Sequence, residues 1–294
     1  MKSTLLIRRA GLPAGQPGGK SVIRGVSLFV MALAALVWAG SACAQYASGN
    51  TVTVDFAAPL GPPLSKSKFT VYDAVGPTFE NVRRDMDRLA ELNVETLRLE
   101  LAWGRGRGSG MGIADVVKGS GEKLGYDFAP LDLIVRALGE RGMRLHAAYC
   151  YTPPPLQPSE GRSRASAPPV RIEKWAEAAA ATAAHFRQIG FPIGVHEIWN
   201  EPDNLPFFFT GTEQEYQRLF AAAAKAIRGV DPDAVIAGPA VAFDKWYESF
   251  PRFVSAERAP LDVYTFHHYG SPATRELRPW RAFYRATRIL RPRR

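Results

Sequence analysis

The sequence predicts an α/β fold in which helices cover a parallel sheet. Six short segments with strand-like patterns occur between residues 69 and 267, and each is followed by a segment with helical periodicity. Regular alternation of this kind indicates parallel strands, because each helix carries the chain back to the edge where the next strand begins. Two layouts fit the pattern, a doubly wound open sheet and a closed (β/α)₈ barrel.

The first three predicted strands come early in the series. A strand over 69–73 is followed by a helix that begins after Thr78, where apolar residues recur three and four positions apart. Residues 95–101 alternate leucine with polar residues, which predicts a strand. A helix over 130–142 then leads to a strand over 144–151.

The next three strands repeat the alternation. An alanine-rich helix over 172–189 leads to a strand over 193–199. Thr212 and Glu215 form a capping box, in which each side chain satisfies a backbone N–H group of the first turn, so a helix begins there and extends to about Arg228. The remaining predicted elements are a strand over 234–237, a helix over 246–257 and a strand over 262–267.

Composition and charge limit the functional classes. The chain has 294 residues, 46% of them hydrophobic and 22% charged, which indicates a globular protein and argues against disorder, collagen or a disulfide scaffold. The net charge of +9 is concentrated at the ends: residues 1–44 carry +5, residues 275–294 carry +7, and residues 45–274 carry −3. A mildly acidic body does not favour nucleic acid, so we predict no nucleic-acid partner.

Residues 1–44 have the pattern of a secretory signal peptide. Basic residues precede an apolar run over 26–39, and the segment ends in Ala42-Cys43-Ala44, an A-x-A cleavage signal before Gln45. The apolar run is 14 residues long, whereas a membrane span needs about 20, so an uncleaved anchor is the less favoured alternative. We predict export to the periplasm or medium without stable membrane insertion, and a lipoprotein attached through Cys43 is a further alternative.

Sequence signals for cofactors are absent. The glycine-rich run over 104–112 does not read G-x-G-x-x-G in any register, and no phosphate-binding G-x-x-x-x-G-K-[ST] occurs. No Cys/His cluster has metal-ligand spacing, and Cys150 lies in an apolar run, where a buried structural thiol is favoured over a nucleophile. We therefore expect no cofactor and no metal.

The most informative segment is His-Glu-Ile-Trp-Asn-Glu-Pro-Asp over residues 196–203. It places Asn200 and Glu201 at the end of the fourth predicted strand, and catalytic residues of barrel enzymes cluster at such carboxyl ends. Aromatic residues surround Glu201, and apolar surroundings raise the pKa of a carboxyl, which suits a general acid. Asn200 has an amide that can donate a hydrogen bond to a sugar hydroxyl, and aromatic faces suit the apolar faces of sugar rings.

These motifs resemble those of glycoside hydrolase family 39, a group of retaining (β/α)₈-barrel glycosidases. The resemblance extends from about Val52 to Gly270. Its motifs are Leu97-Arg98-Leu99 on the second strand, Glu197-Ile198-Trp199-Asn200-Glu201-Pro202 on the fourth, and His267-His268-Tyr269-Gly270 at the end of the sixth. It implies a (β/α)₈ barrel that is incomplete here, with about six βα units between residues 45 and 274.

The resemblance also implies roles for individual residues. Glu201 would be the general acid/base, and Asn200 would contact the sugar 2-hydroxyl. Arg98, His267 and Tyr269 would line the floor of the site and orient the nucleophile carboxylate. A hydrolase of this family acts on carbohydrate, which is the partner that we expect.

Several of these roles have structural alternatives. Arg98 lies within a strand, so it can instead form an ion pair with Glu100 or Glu197 inside the barrel, and we interpret Glu197 itself as structural. His267 and His268 are neighbours in a strand and point to opposite sides, and we assign His267 to the site.

Aromatic side chains at strand ends are also open to two interpretations. Trp103 follows the second strand and Tyr151 ends the third, where each can stack on sugar or simply pack. Tyr269 either contacts substrate or caps its strand.

The second carboxyl of a retaining glycosidase is not evident in the sequence. Such enzymes need two carboxyls about 5–5.5 Å apart, and in the family the nucleophile is a Glu at the end of the seventh strand. After Gly270 the sequence contains a single acid, Glu276, and residues 278–294 contain none. We hypothesise a truncated or frame-shifted glycosidase that retains the acid/base half of its site.

Two functions follow from this interpretation. The first is an exported retaining hydrolase of β-linked sugars or polysaccharide, and the alternative is a carbohydrate-binding remnant that cleaves nothing. The loops over 104–126 and 153–169 follow strands and are expected to lie at the site, but such loops vary freely and do not identify the sugar.

Overall fold

The computed structural model describes seven parts of the chain: residues 70–72, 79–101, 103, 116–120, 122–161, 164–243 and 246–267. All of them belong to a unit that extends over Leu64–Arg294. The predicted signal peptide over 1–44 and the basic end over 275–294 lie outside the described residues.

Five α-helices, two short 3-10 helices (Pro154–Leu156 and Arg164–Ser166) and eight strands occur along these residues. The helices are α1 (Phe79–Glu91), α2 (Ala129–Gly139), α3 (Ile172–Gln188), α4 (Glu213–Val230) and α5 (Ser249–Glu257). The strands are β1 (Thr70–Tyr72), β2 (Thr96–Glu100), β3 (Val117–Ser120), β4 (Lys123–Tyr126), β5 (Arg144–Tyr149), β6 (Val195–Ile198), β7 (Ile236–Val241) and β8 (Val263–Phe266). Every helix and strand that was given a range above is present, with ends shifted by a few residues, and the helical segment predicted after the sixth strand lies outside the described residues.

The main sheet decides between the two predicted layouts. Its six strands are all parallel and lie in the order β1-β2-β5-β6-β7-β8, so each main-sheet strand pairs with the one before it in the chain. A doubly wound sheet reverses its strand order at a switch point, whereas a (β/α)₈ barrel adds strands in sequence. The described residues therefore form an incomplete barrel of six strands, as predicted.

One element was not predicted. Strands β3 and β4 form an antiparallel hairpin within the segment 104–126, which we predicted to be a loop. The two residues between the strands are Gly121 and Glu122, and a glycine in a two-residue connection is a hairpin signal. Glycines within both strands obscure the alternation that would have identified them.

Alternation along β2 separates two environments. Leu97, Leu99 and Leu101 are buried in the main apolar core. Arg98 and Glu100 point to the opposite face, since successive strand residues alternate, and both are also buried. The barrel interior is therefore polar and charged in this region.

His196 in β6 is buried, and this burial favours the neutral form of its imidazole ring. It is 0% exposed, and its Nδ1 lies 2.9 Å from the Tyr149 hydroxyl. Burial, together with the charges of His146 and Arg228, lowers the pKa of His196 from 6.5 to about 4. A proton on this ring is therefore unfavourable in the folded protein.

This burial predicts a pH dependence of stability. Between pH 6.5 and about 4 the unfolded chain binds a proton that folded His196 does not, so the free energy of unfolding falls as the pH decreases, by at most about 3 kcal/mol. Urea unfolding of the His196→Gln variant across this range should show a shallower decrease than the wild type. An equal slope in both proteins would show that His196 is not responsible.

Candidate active site

The end of β6 adopts an unusual backbone conformation around Asn200. Trp199 and Glu201 have positive φ angles of 73° and 48°. Non-glycine residues in this region cost free energy and are found where neighbouring structure holds them, often at functional sites. Two hydrogen bonds hold this turn, from the Trp199 N–H to the Tyr149 carbonyl (2.9 Å) and from the Glu201 N–H to the Ala240 carbonyl (3.0 Å). The adjacent strands β5 and β7 thereby fix the direction of the Asn200 and Glu201 side chains.

Both carboxylate oxygens of Glu201 are bound. Oε1 lies 2.7 Å from His267 Nδ1, and Oε2 accepts a hydrogen bond of 2.9 Å from Asn204 Nδ2. The residue is 7% exposed. His267 follows β8 and is held by a backbone hydrogen bond from its N–H to the Val241 carbonyl. The structure thus brings His267 to the candidate acid/base from a strand 66 residues away.

The pKa of Glu201 differs from the prediction. Burial does raise it, but the hydrogen bonds from His267 and Asn204, and then the positive charges of His267 and Arg98, together lower it below the usual carboxyl range. The predicted upward shift is therefore wrong for the protein without substrate. The sequence showed the aromatic neighbours of Glu201 but not the donors that reach it from elsewhere.

An ion pair inside the barrel holds Asn200. Arg98 Nε donates to Glu197 Oε2 at 2.6 Å, and its Nη2 donates to Asn200 Oδ1 at 3.0 Å. Arg98 and Glu197 are 8% and 1% exposed. Because Oδ1 accepts from Arg98, the amide of Asn200 is oriented with Nδ2 as its remaining donor. Arg98 therefore forms the alternative ion pair with Glu197 and also contacts a candidate site residue.

The ion pair with Arg98 makes Glu197 a stronger acid than an ordinary carboxyl. Burial raises the pKa of Glu197, but the charge of Arg98 and the proximity of His146 and Thr265 outweigh it and lower the pKa to about 2. His146 Nε2 lies 3.3 Å from Glu197 Oε2. Glu197 is a charged group in the barrel interior, in agreement with our structural interpretation of it.

Trp103 and Tyr151 are packed in the structure. They are 1% and 0% exposed. The Trp103 ring meets Tyr149 and Trp175 edge-on, with centroids 5.7 and 5.5 Å apart. The Tyr151 hydroxyl donates to Glu100 at 3.2 Å. These contacts correspond to the packing alternative, since neither ring presents an open face to a sugar.

Other expectations concern residues without a described position. Tyr269, predicted to line the site, lies outside the described residues, as does His268. Cys150 is buried, as predicted for a structural thiol. In the part of the chain that the structure describes, no group of three metal-ligating side chains is found, and no helix is long and apolar enough to cross a membrane.

Sequence reasoning missed Asp203 and Asn204. Asn204 donates to Glu201, and the buried carboxylate of Asp203 accepts from the N–H groups of Ala242 (2.7 Å) and Phe243 (2.8 Å). Both residues follow Glu201-Pro202 directly, and this position was the available signal. The partners of Asp203 follow β7 and lie 39 and 40 residues further along the chain.

A cavity of about 570 Å³ lies at the other end of the sheet. Its lining includes Arg144, Gly194 and Val235, which precede or begin β5, β6 and β7. Catalytic residues of barrels lie at the carboxyl ends of the strands, so this cavity is separate from the Glu201 site.

Comparison with known proteins places the chain in a family. Residues 66–279 match the model of glycosyl hydrolases family 39. A β-xylosidase of Geobacillus stearothermophilus is 29% identical over 174 residues, which is 55% of this chain and 34% of that protein. A β-xylosidase of Caldicellulosiruptor saccharolyticus is 30% identical over 156 residues, covering 50% and 32% of the two chains. The chain therefore spans about a third of the length of these curated relatives.

Solved structures show the same fold. The GH39 enzyme from Xanthomonas axonopodis pv. citri superimposes with a TM-score of 0.58 at 23% identity, covering 71% of this chain and 42% of that one. A monomeric β-xylosidase from Caulobacter crescentus gives a TM-score of 0.57 at 22% identity, covering 71% and 43%. The family match extends over well more than half of the sequence, and on this ground the chain belongs to glycosyl hydrolase family 39.

Proposed function

We propose that this chain carries the acid/base half of a retaining glycosidase site that acts on β-linked xylose or a similar sugar. The observation that carries the proposal is the arrangement at the end of β6, where Glu201 is held by His267 and Asn204 beside an Asn200 amide oriented by Arg98. The choice of xylose rests on the two β-xylosidases to which the chain is similar.

In the proposed reaction Glu201 acts twice. As the acid it donates its proton to the glycosidic oxygen while a second carboxylate attacks the anomeric carbon. As the conjugate base it then takes a proton from the water that hydrolyses the glycosyl intermediate. Asn200 Nδ2 is the donor for a sugar hydroxyl, and hydrogen bonds of this kind strengthen in the transition state.

In a complete barrel the second carboxyl comes from the strand that follows β8, which would be the seventh strand of the main sheet. This strand would lie beyond the described residues. Among the described residues, the carboxyl of Asp203 interacts electrostatically with Glu201. It does not suit the role of nucleophile, because both of its oxygens accept backbone N–H groups. We hypothesised from the sequence that this carboxyl is missing from the chain, and hydrolysis of an aryl β-xyloside by the full chain would contradict that hypothesis.

Carbohydrate binding without cleavage is the second candidate. The lowered pKa of Glu201 favours this candidate, because a general acid must carry a proton near the working pH. Under this alternative the same residues bind sugar, and the carboxylate of Glu201 acts only as a hydrogen-bond acceptor.

We also propose that the protein is exported through residues 1–44. The test is to fractionate cells that express the full chain with a carboxyl-terminal tag. Recovery of a shortened chain beginning at Gln45 from the periplasm or medium is expected. Full-length protein in the cytoplasm would contradict export, and membrane-bound protein would favour the anchor or the Cys43 lipoprotein.

The sugar-binding part of the proposal predicts that Asn200→Ala weakens binding. Loss of one hydrogen bond to the sugar should raise the Kd for xylobiose about 3- to 10-fold, measured by isothermal titration calorimetry on the full chain. Gln188→Ala, which removes an exposed amide at the end of α3, is the matched control and should bind as the wild type does.

The outcomes separate the candidates. Xylobiose binding accompanied by hydrolysis of aryl β-xylosides supports the glycosidase, and binding without hydrolysis supports the second candidate. Equal Kd values for Asn200→Ala and the wild type would contradict the placement of the sugar beside Asn200.

A further inference from the structure

Two phenylalanine rings are exposed at the edge of the sheet where Glu201 lies. Phe207, in the segment after β6, is 70% exposed, and Phe243, after β7, is 48% exposed. Both segments follow the carboxyl ends of neighbouring parallel strands, and these ends meet at one edge of the sheet. Ligand-binding sites are lined predominantly by hydrophobic and aromatic side chains, so two exposed rings at this edge are candidates for contact with a ligand.

The residues that follow the acid/base hold both segments. The Phe243 N–H donates to Asp203 Oδ2 at 2.8 Å, and the Phe207 N–H donates to the Asn204 carbonyl at 3.0 Å. Asn204 also donates its side-chain amide to Glu201. The dipeptide Asp203-Asn204 therefore fixes the backbone at both rings and the carboxylate of Glu201 together.

Burial of the Asp203 carboxylate is unfavourable by itself. Its side chain belongs to a residue that is 0% exposed, and burial raises its pKa. A buried carboxylate is unfavourable unless hydrogen bonds compensate for the lost water. Here the compensation comes from the N–H groups of Ala242 and Phe243. The same two hydrogen bonds hold the backbone of the loop that contains Phe243.

We infer that Phe207 and Phe243 form an aromatic sugar-binding surface beside Glu201, with Asp203 as its positioning residue. The ligand is a neutral oligosaccharide of β-linked pyranoses, whose C–H faces pack on phenyl rings and whose length extends past the bond at Glu201. This inference rests on the proposed function, because it takes the ligand of that site to be carbohydrate. It adds the residues that recognise sugar units beyond the one next to Glu201.

The test compares sugars of two lengths on the full 294-residue chain. Binding of xylose and xylotriose is measured by NMR titration for the wild type, Phe207→Ala and Phe243→Ala. Each variant should weaken xylotriose binding about 3- to 10-fold, with a smaller effect on xylose. Phe243→Tyr keeps the ring and should restore xylotriose binding. Leu133→Ala removes an exposed side chain from α2 (52% exposed) and should bind as the wild type does.

Asp203→Asn tests the positioning role. Its amide offers one acceptor oxygen where the carboxylate offers two, so one backbone N–H loses its partner. We expect the same preferential loss for xylotriose over xylose, which a general loss of stability would not produce. Equal weakening of both sugars would overturn the positioning role.

Two further outcomes are distinct. If the wild type binds both sugars and neither Phe→Ala variant changes the Kd for xylotriose, the aromatic surface is wrong while the proposed function stands. If the wild type binds neither sugar, the proposed function fails and this inference fails with it.

Discussion

Under the proposed function, and with the second carboxyl present, replacing Glu201 by Gln is expected to slow hydrolysis of phenyl β-xyloside about 10²- to 10⁴-fold. Protonation of the leaving oxygen by a positioned side chain contributes a factor of this size, and Gln has no proton to give at the same position. The amide keeps the size of the side chain and can accept one hydrogen bond, so the fold should persist. The measurement is kcat/KM for the wild type and the variant.

The leaving group distinguishes a lost acid from a damaged site. A dinitrophenyl β-xyloside needs little protonation, so bond cleavage in Glu201→Gln should be affected far less for this substrate. Glu257→Gln, an exposed carboxyl at the end of α5, is the matched control and should hydrolyse both substrates normally. Equal hydrolysis of phenyl β-xyloside by Glu201→Gln and the wild type would show that Glu201 is not the acid.

The pH profile gives an independent readout of the same carboxyl. The dependence of kcat/KM on pH reports the pKa of groups in the free protein. Because the pKa of Glu201 is lowered, its protonated fraction falls at a lower pH than for an ordinary carboxyl. Hydrolysis of phenyl β-xyloside should therefore decline as the pH rises through the acidic range, and this decline should disappear in Glu201→Gln.

Local patterns in the sequence predicted most of the secondary structure. The capping box is an example, because Thr212 and Glu215 contact each other within a single turn, and the structure contains both hydrogen bonds. The alternation of Leu97, Arg98 and Leu99 likewise predicted a strand, and the structure contains it as β2. Features that depend on neighbours within a few residues can be predicted from the sequence in this way.

The electrostatics of the site depend on contacts between distant residues. Arg98 and Glu197 are 99 residues apart, and His267 is 66 residues from Glu201. Residue spacing within a short segment does not reveal contacts between residues so far apart in the chain. The sequence therefore predicted that burial raises the pKa of Glu201, but not that donors from distant segments lower it. The hairpin β3–β4 was missed for a different reason, because its glycines hide the alternation.

Strand order was the other open question. Alternation of strands and helices specifies parallel strands but not which strands are neighbours. The family resemblance favoured a barrel, and the sequential order of the strands confirms this type of fold. The position of Asn200 and Glu201 follows from that order, since β5 and β7 must lie on either side of β6 to hold its final turn.

Replacing Glu197 by Gln is expected to lower the free energy of unfolding by about 3–5 kcal/mol. Removing one partner of a buried ion pair leaves an unpaired charge in a poorly solvated environment, and this typically costs that amount. Here the charge that loses Glu197 is Arg98, which is 8% exposed and is also attracted by Glu100. Urea unfolding at neutral pH measures the change.

The control is an ion pair in contact with water. Glu177, whose side chain is 49% exposed, lies 2.7 Å from Lys174, and Glu177→Gln should cost at most about 1 kcal/mol because such pairs contribute little. A similarly small change for Glu197→Gln would show that the barrel interior solvates Arg98 without its partner.

The same pair predicts a pH window. The pKa of Glu197 falls from 4.5 to about 2 on folding, so between these values the unfolded chain binds a proton that the folded protein does not. Stability from this group is complete above about pH 4.5 and is lost as the pH falls towards 2. Glu197→Gln should remove this part of the acid dependence, which is separate from the decrease due to His196 at higher pH.

A double variant separates the charge from the shape of the pair. Replacing both partners, as Arg98→Met with Glu197→Gln, also removes the Arg98 charge that loses Glu197 in the single variant, and substitutions of this kind are often close to neutral. The double variant should therefore be more stable than Glu197→Gln alone. It should nevertheless bind sugar less tightly than the wild type, because Asn200 loses the Arg98 hydrogen bond that orients its amide. Recovery of stability without recovery of sugar binding would assign the ion pair a role in the site as well as in the fold.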